Sequence, residues 1–232
     1  MKNTIVVFLA IVVTACASSR GFDRGSLRSQ ITDQKVVTEE DIKKALEARP
    51  QLPNPFKLAI YFAPPKMPQW QYRGSWNWLG EDKDKLLGLN AELKAKGVVS
   101  DIFAISDAIV EGKDNKAIRL AAAQAGADAV LVVNGVSDVD RYNNPLGATY
   151  VLLVTAFFVP GTQADGLFMA NASMWDVRNQ YLYLSVEAEG SAKETRPAFF
   201  VEESRIVKAA KADALAELGK QLSARLTILG RK

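Results

Sequence analysis

A helix followed at once by a buried strand constrains the fold of this chain more than any other feature. Asp114 is a good N-cap for a helix that runs to Ala125, and Gly126 suits the left-handed residue that commonly ends a helix. Residues 129–133 are then apolar at every position, as in a strand that is covered on both faces. This order predicts an α/β crossover, and therefore a sheet with helices packed against it.

The segments before the crossover predict further elements of the same sheet. Thr38 and the acids after it are typical of a helix start, and the prolines from Pro50 onward end that helix. Strands are expected at 57–63 and 102–105, with a helix over 82–96 between them.

The segments after the crossover predict an antiparallel C-terminal meander and a long C-terminal helix. The helix over 204–229 carries an apolar stripe that suits the face of a sheet. The strands of the meander are expected at 148–159, 167–175 and 180–189. The predicted fold is therefore α/β, a mixed sheet flanked by helices.

The first fifteen residues predict an export signal. Lys2 precedes an apolar run over 4–15, which is the order of charge and apolar core found in signal peptides. That run holds about a dozen residues, whereas a membrane-spanning helix needs roughly 20. Cys16 follows two small residues, Thr14 and Ala15, at the position expected for cleavage.

This arrangement resembles the lipobox of bacterial lipoproteins, whose cysteine is diacylated and becomes the new N-terminus. The resemblance implies a lipid anchor at Cys16 in the membrane; an ordinary cleaved signal with an incidental cysteine is the alternative. Because Ala17 rather than aspartate follows, it also implies the outer membrane, on the periplasmic side. We expect a lipoprotein signal peptide over 1–15, a flexible tether over 16–37 and a single domain over 38–232.

The composition excludes several kinds of function. The chain has no histidine, so it cannot contain a Ser-His-Asp triad or an imidazole metal site. A formal net charge of +3 is too balanced to predict a nucleic-acid partner. Cys16 is the only cysteine, so its acylation would leave no thiol for a disulfide, and the core alone must hold the fold. No catalytic residue, metal site or cofactor is predicted.

Four large aromatic residues within nine positions are the strongest candidate for a partner-binding surface. They are Trp70, Tyr72, Trp76 and Trp78. Exposed tryptophans are common hot spots of interfaces, but aromatic side chains also dominate cores. The loop therefore predicts either a surface that contacts a partner or membrane, or a lid folded onto the sheet.

Acidic residues are weaker candidates. Asp128, Asp138 and Asp140 could offer oxygen ligands, but a calcium site takes about six to eight oxygens and the necessary run is absent. We interpret them as surface acids at strand ends. Glu187 and Glu189 lie two apart on one strand, where they are expected to solvate its open face rather than act as a catalytic pair.

The order of elements resembles the periplasmic α/β module shared by the TolB amino-terminal domain and the curli-channel lipoproteins. The strand at 57–63, the Gly126-Ala127-Asp128 junction and the Asp176-Val177-Arg178 turn carry this resemblance. Segments 156–161 and 175–178 also resemble the rhombotarget lipoproteins.

Together with the anchor, these features predict a non-enzymatic binding or assembly factor of the bacterial cell envelope that docks an envelope protein. One alternative is a subunit of a homo-oligomeric secretion or export channel. A third and weaker hypothesis is an envelope hydrolase.

Overall fold

The chain is organised around one mixed sheet of five strands. The computed structural model describes residues 18–32, 38–66, 74–112 and 114–230. The strands are β1 (Phe56–Phe62), β2 (Val99–Ile105), β3 (Ala129–Asn143), β4 (Thr162–Asp176) and β5 (Leu182–Arg196). Their order is β2-β1-β3-β4-β5, with β1 parallel to β2 and β3, and the β3-β4-β5 meander antiparallel. The predicted α/β class with an antiparallel meander is confirmed.

Helices cover both faces of this sheet. Short 3₁₀ helices occupy Asp107–Ile109, Pro145–Val151, Leu153–Phe157 and Ala198–Phe200. The α-helices are α1 (Arg24–Ile31), α2 (Glu39–Glu47), α3 (Gly80–Leu87), α4 (Leu89–Ala95), α5 (Asn115–Gln124) and α6 (Glu203–Leu229).

The crossover into β3 forms as the sequence predicts. The Asp114 carboxylate accepts a hydrogen bond of 2.9 Å from the Ala117 N–H and so caps α5. Gly126 has a φ of +77°, the left-handed conformation that suits glycine after a helix. Ala121 and Ala122 are buried in α5, so this helix lies close against β1 and β3.

The long helix α6 builds the main core on the other face of the sheet. Its buried residues pack against the inward side chains of the strands; they include Leu215, Leu218, Leu222 and Leu226. A Cβ atom on Gly190 of β5 would lie 2.3 Å from the Ala210 carbonyl oxygen and from the Ala214 nitrogen. The backbone of α6 therefore approaches β5 as closely as only glycine permits. The predicted long C-terminal helix is confirmed.

The first strand of the meander is not where the sequence predicts it. Residues 148–159 form parts of the 3₁₀ helices Pro145–Val151 and Leu153–Phe157, and most of their large apolar side chains are exposed. The strand beside β4 is instead β3, which continues to Asn143 opposite Thr162. Apolar residues on both faces are typical of a buried strand, but threonine hydroxyls in this segment bond to nearby carbonyls and favour tight turns.

The predicted tether is wrong for residues 18–32, because they fold onto the sheet. Asp23 caps α1 by accepting a 2.9 Å hydrogen bond from the Ser26 N–H. Leu27 is only 5% exposed and packs with Val136 and other side chains of β3 and β4. The sequence does not predict this helix, because it has few apolar residues. Its contacts are made with strands more than a hundred positions away. Residues 16, 17 and 33–37 lie outside the described part.

Replacement of Leu27 by alanine tests whether α1 belongs to the folded domain. We expect Leu27→Ala to lower the free energy of unfolding by about 2–3 kcal/mol, since a buried leucine leaves a cavity. The matched control is Leu46→Ala in α2, where the side chain is 74% exposed and a change within about 0.5 kcal/mol is expected. Urea unfolding measures both. Equal, negligible effects would restore the tether interpretation.

Candidate functional site

Trp76 and Trp78 turn inward from the aromatic segment and pack onto the core. The Trp76 ring lies edge-on to Trp78 and to Phe168, at centroid distances of 4.8 and 4.9 Å. Trp78 also meets Phe62 edge-on at 5.4 Å. The Trp78 indole N–H donates a 2.8 Å hydrogen bond to the Ala63 carbonyl, which closes the segment over the end of β1. This is the geometry of a lid on the sheet.

A buried ion pair holds this lid to α6. Lys211 Nζ lies 2.5 Å from the Asp82 carboxylate, and both side chains are almost fully buried. Lys211 also donates a 2.6 Å hydrogen bond to the Asn77 carbonyl, and Asp82 accepts one of 2.8 Å from the Leu79 N–H. Each charge therefore has a partner and also satisfies a backbone group, as buried ions require. We assign this cluster to structure rather than to chemistry.

The sequence does not predict this pair, although it contains one signal for it. Lys211 lies four positions after Val207 and four before Leu215, within the apolar stripe of α6. A lysine at such a position must find a buried partner or distort the helix packing. Asp82 is 129 positions away, so nothing local could identify the partner.

A small cavity lies beside the lid. Its volume is about 40 Å³, room for a water molecule rather than for an organic ligand, whose pockets measure about 300–1,000 Å³. The residues that line it include Pro64, Lys66, Trp76, Asn134 and Ser137.

The other predicted site residues lie outside the described part of the chain. They are Cys16, Trp70 and Tyr72. Anchoring at Cys16 and partner binding by the aromatic segment therefore stay predictions.

The acids Asp138 and Asp140 bind the start of the domain rather than a cation. Asp140 accepts a 2.5 Å hydrogen bond from the Ser19 hydroxyl and one of 2.9 Å from the Gly21 N–H. Asp138 lies 2.5 Å from the Arg20 guanidinium. Chain positions just after Cys16 are thereby bonded to β3.

Glu187 and Glu189 continue the same line of contacts on β5. Arg24 donates three hydrogen bonds to Glu189, the shortest of 2.6 Å, and this pairing lowers the pKa of the Glu189 carboxyl. Arg28 lies 2.9 Å from Glu187. Both glutamate side chains stay exposed, as the sequence predicts, and they pair with the arginines of α1. Each surface pair alone contributes little, about 0–1 kcal/mol.

Asp128, at the junction between α5 and β3, bonds to β1 and to the turn between β4 and β5. It accepts hydrogen bonds of 2.9 Å from the Lys57 N–H and 2.7 Å from Arg178. The neighbouring Asp176 accepts one of 2.5 Å from the Tyr183 hydroxyl, and burial, together with this bond, raises the pKa of Tyr183. Within the described residues, no group of three or more acids or cysteines is placed to hold a metal ion.

None of the described helices is both long and apolar enough to cross a membrane. No protein-family model matches the chain, and no curated protein is significantly similar to it. The module and lipoprotein families named above therefore stay predictions.

Several solved structures are similar to this chain at low identity. A minor lipoprotein from Acinetobacter baumannii is 14% identical, with 77% of this chain and 94% of that chain covered and a TM-score of 0.38. A neuraminyllactose-binding hemagglutinin homolog from Helicobacter pylori is 13% identical over 77% and 90%, with a TM-score of 0.39. The PelC dodecamer from Paraburkholderia phytofirmans is 16% identical over 73% and 91%, with a TM-score of 0.28.

Replacement of Trp78 by alanine tests whether its ring packs on the core as a lid or lies on a free surface. We expect Trp78→Ala to lower the free energy of unfolding by about 2–4 kcal/mol, because the ring packs on Phe62 and its N–H is bonded. The control is Phe158→Ala, whose side chain is 77% exposed and whose loss should change stability by less than about 0.5 kcal/mol. Thermal and urea unfolding measure both. An unchanged Trp78→Ala protein would contradict the lid.

Breaking the ion pair from one side should cost more than removing it from both. Lys211→Met leaves Asp82 charged and buried, so we expect a loss of about 3–5 kcal/mol. Combining it with Asp82→Asn removes the second charge but keeps an oxygen for the Leu79 N–H, and should recover part of that loss. A double-mutant cycle by urea unfolding gives the coupling. Additive effects would show that the two groups act independently.

Proposed function

We propose that this chain is a lipid-anchored, non-enzymatic binding or assembly factor on the periplasmic side of the bacterial outer membrane. The observation that carries the proposal is the short stretch of sequence between Cys16 and the first bonded residues of the domain. The predicted leader ends at this single cysteine, and Ser19, three positions later, is already bonded to Asp140.

Covalent geometry then limits how far the domain can stand from its anchor. Three residues span at most about 10–11 Å when fully extended. An acyl group on Cys16 would therefore hold β3 within that reach of the lipid surface, plus the length of the side chains. A domain confined to such a thin layer meets envelope partners at a raised effective concentration, which is the proposed mechanism.

The use of buried polar groups supports a binding role rather than catalysis. In the described residues, each buried polar or charged side chain bonds to backbone or to a neighbouring side chain that it holds in place. These side chains are Asp82, Ser137, Asp140, Thr162, Asp176 and Lys211. Such contacts are typical of polar groups that stabilise a fold.

We further propose that Trp70 and Tyr72 contact the envelope partner, since the rings of Trp76 and Trp78 are committed to the core. A photo-crosslinking side chain at position 70 or 72, used in intact cells, should capture one partner. The same side chain at Leu120, which is exposed on α5, should not. Equal capture from all three positions would contradict a specific surface.

Substitutions at Cys16 and Ala17 test separately whether the protein is acylated and which membrane holds it. Cys16→Ala should abolish acylation and remove the protein from the outer-membrane fraction. Ala17→Asp should keep the acyl groups but move the protein to the inner membrane, because an aspartate after the cysteine is the expected retention signal. Mass spectrometry and density-gradient fractionation measure both, with Ser18→Ala as the control that should change neither.

A free thiol at position 16 of the exported protein, or an uncut leader, would contradict the anchor. Acylated wild-type protein in the inner membrane would contradict the outer-membrane address alone.

A further inference from the structure

The end of the β3-β4-β5 meander carries a concentrated apolar surface. We define the apolar tip as residues 145–159 together with 198–200. Nine of the sixteen large apolar side chains that are exposed in the described residues belong to it: Leu146, Val151, Leu152, Leu153, Val154, Phe157, Phe158, Phe199 and Phe200. An exposed apolar patch of this kind is typical of a surface that contacts a partner protein or a membrane.

The two segments of the apolar tip form one surface. The rings of Phe157 and Phe199 stack at a centroid distance of 4.3 Å. Arg141 at the end of β3 donates a 2.6 Å hydrogen bond to the Ala198 carbonyl, which holds the second segment beside the first. Leu153 is 80% exposed at the centre of the first segment.

The threonine and tyrosine hydroxyls of the apolar tip donate hydrogen bonds within the tip itself. The hydroxyls of Thr149 and Thr155 donate hydrogen bonds of 2.7 and 2.6 Å to carbonyls within the tip, and Tyr150 donates one of 2.8 Å to the Val159 carbonyl. A protein interface typically exchanges about one hydrogen bond per 100–200 Å² with its partner. Hydrocarbon offers none, so a surface that faces lipid must bond internally.

Charges are absent from the tip and resume directly behind it. No charged residue occurs from position 142 to position 164. At the strand ends behind the tip, Lys193 pairs with Asp165 at 3.4 Å and Arg196 pairs with Glu194. An apolar layer backed by polar and charged residues matches the boundary between acyl chains and headgroups.

The first described residues after Cys16 are bonded at this same end of the sheet. Ser19 and Gly21 are bonded to Asp140, which lies three residues before the end of β3 at Asn143. Three strand residues span about 10 Å, and Cys16 can lie no more than about 10–11 Å from Ser19. The lipid on Cys16 and the apolar tip can therefore enter one bilayer without any extended linker.

We propose that the apolar tip inserts into the acyl-chain boundary of the bilayer that holds the Cys16 anchor, and so fixes the orientation of the domain. The inference rests on the proposed anchor. A second copy of the chain, associating through the same tip, is the competing occupant. The geometry favours lipid, because the proposed anchor and the tip share one end of the sheet and the threonine and tyrosine hydroxyls of the tip already donate their hydrogen bonds within it.

The test uses the full, acylated protein in liposomes of phosphatidylethanolamine and phosphatidylglycerol. Because acylation occupies Cys16, Leu153→Cys provides a single free thiol for an environment-sensitive fluorophore. The matched control is Leu120→Cys. Leu120 is 56% exposed and lies on α5, outside the apolar tip. Unchanged thermal unfolding of both labelled proteins establishes that the fold is intact.

We expect emission from position 153 to shift to shorter wavelength and to be quenched by lipids that carry a nitroxide on the acyl chain, with neither change at position 120. A probe at 153 that stays as water-exposed as the one at 120 overturns the inference. So does a shift without lipid quenching, accompanied by a dimer or larger oligomer on crosslinking. Mass spectrometry of the same preparation reports the anchor independently: an unquenched probe on acylated protein leaves the anchor standing, whereas unacylated protein overturns both.

Discussion

The bonding of residues 18–31 to one face of the meander determines how the rest of the molecule can be used. Strand alternation places Asp138, Asp140, Glu187 and Glu189 on the same face of β3 and β5. These acids bind the serine and arginines of the N-terminal segment, and Leu27 is buried against Val136 and other apolar side chains of β3 and β4. An exposed ion pair contributes about 0–1 kcal/mol, whereas burial of a leucine side chain contributes about 1.5–3 kcal/mol.

The N-terminal segment and α6 lie on opposite faces of the sheet. The face opposite α1 is filled by α6, whose approach at Gly190 is too close for any larger residue. The lid of Trp76 and Trp78 closes the edge of that core and is held by Lys211 and Asp82. Helices therefore cover both faces of the sheet, and the apolar tip at the end of the meander is left for contact outside the molecule.

The sequence predicts what depends on neighbours along the chain. The Asp114 cap, the Gly126 stop and the apolar strand after them are local, so the crossover and the long helix could be recognised. The side-chain hydrogen bonds of Ser19, Arg20 and Arg24 join positions 118–165 residues apart, and no periodicity of the sequence indicates them. The prediction of a strand at 148–159 is wrong for another reason. Hydrophobicity indicates that a segment avoids water, but it does not indicate what covers the segment.

Neutron reflectometry of the acylated protein on a supported bilayer tests most directly whether the domain lies against the membrane. The bonded N-terminal segment predicts protein density that begins at the headgroups and overlaps them, with no hydrated layer between. A flexible tether of 22 residues over 16–37 would instead hold the domain away by roughly 25 Å of water and chain. Such a gap, found with Cys16 acylated, would contradict this account.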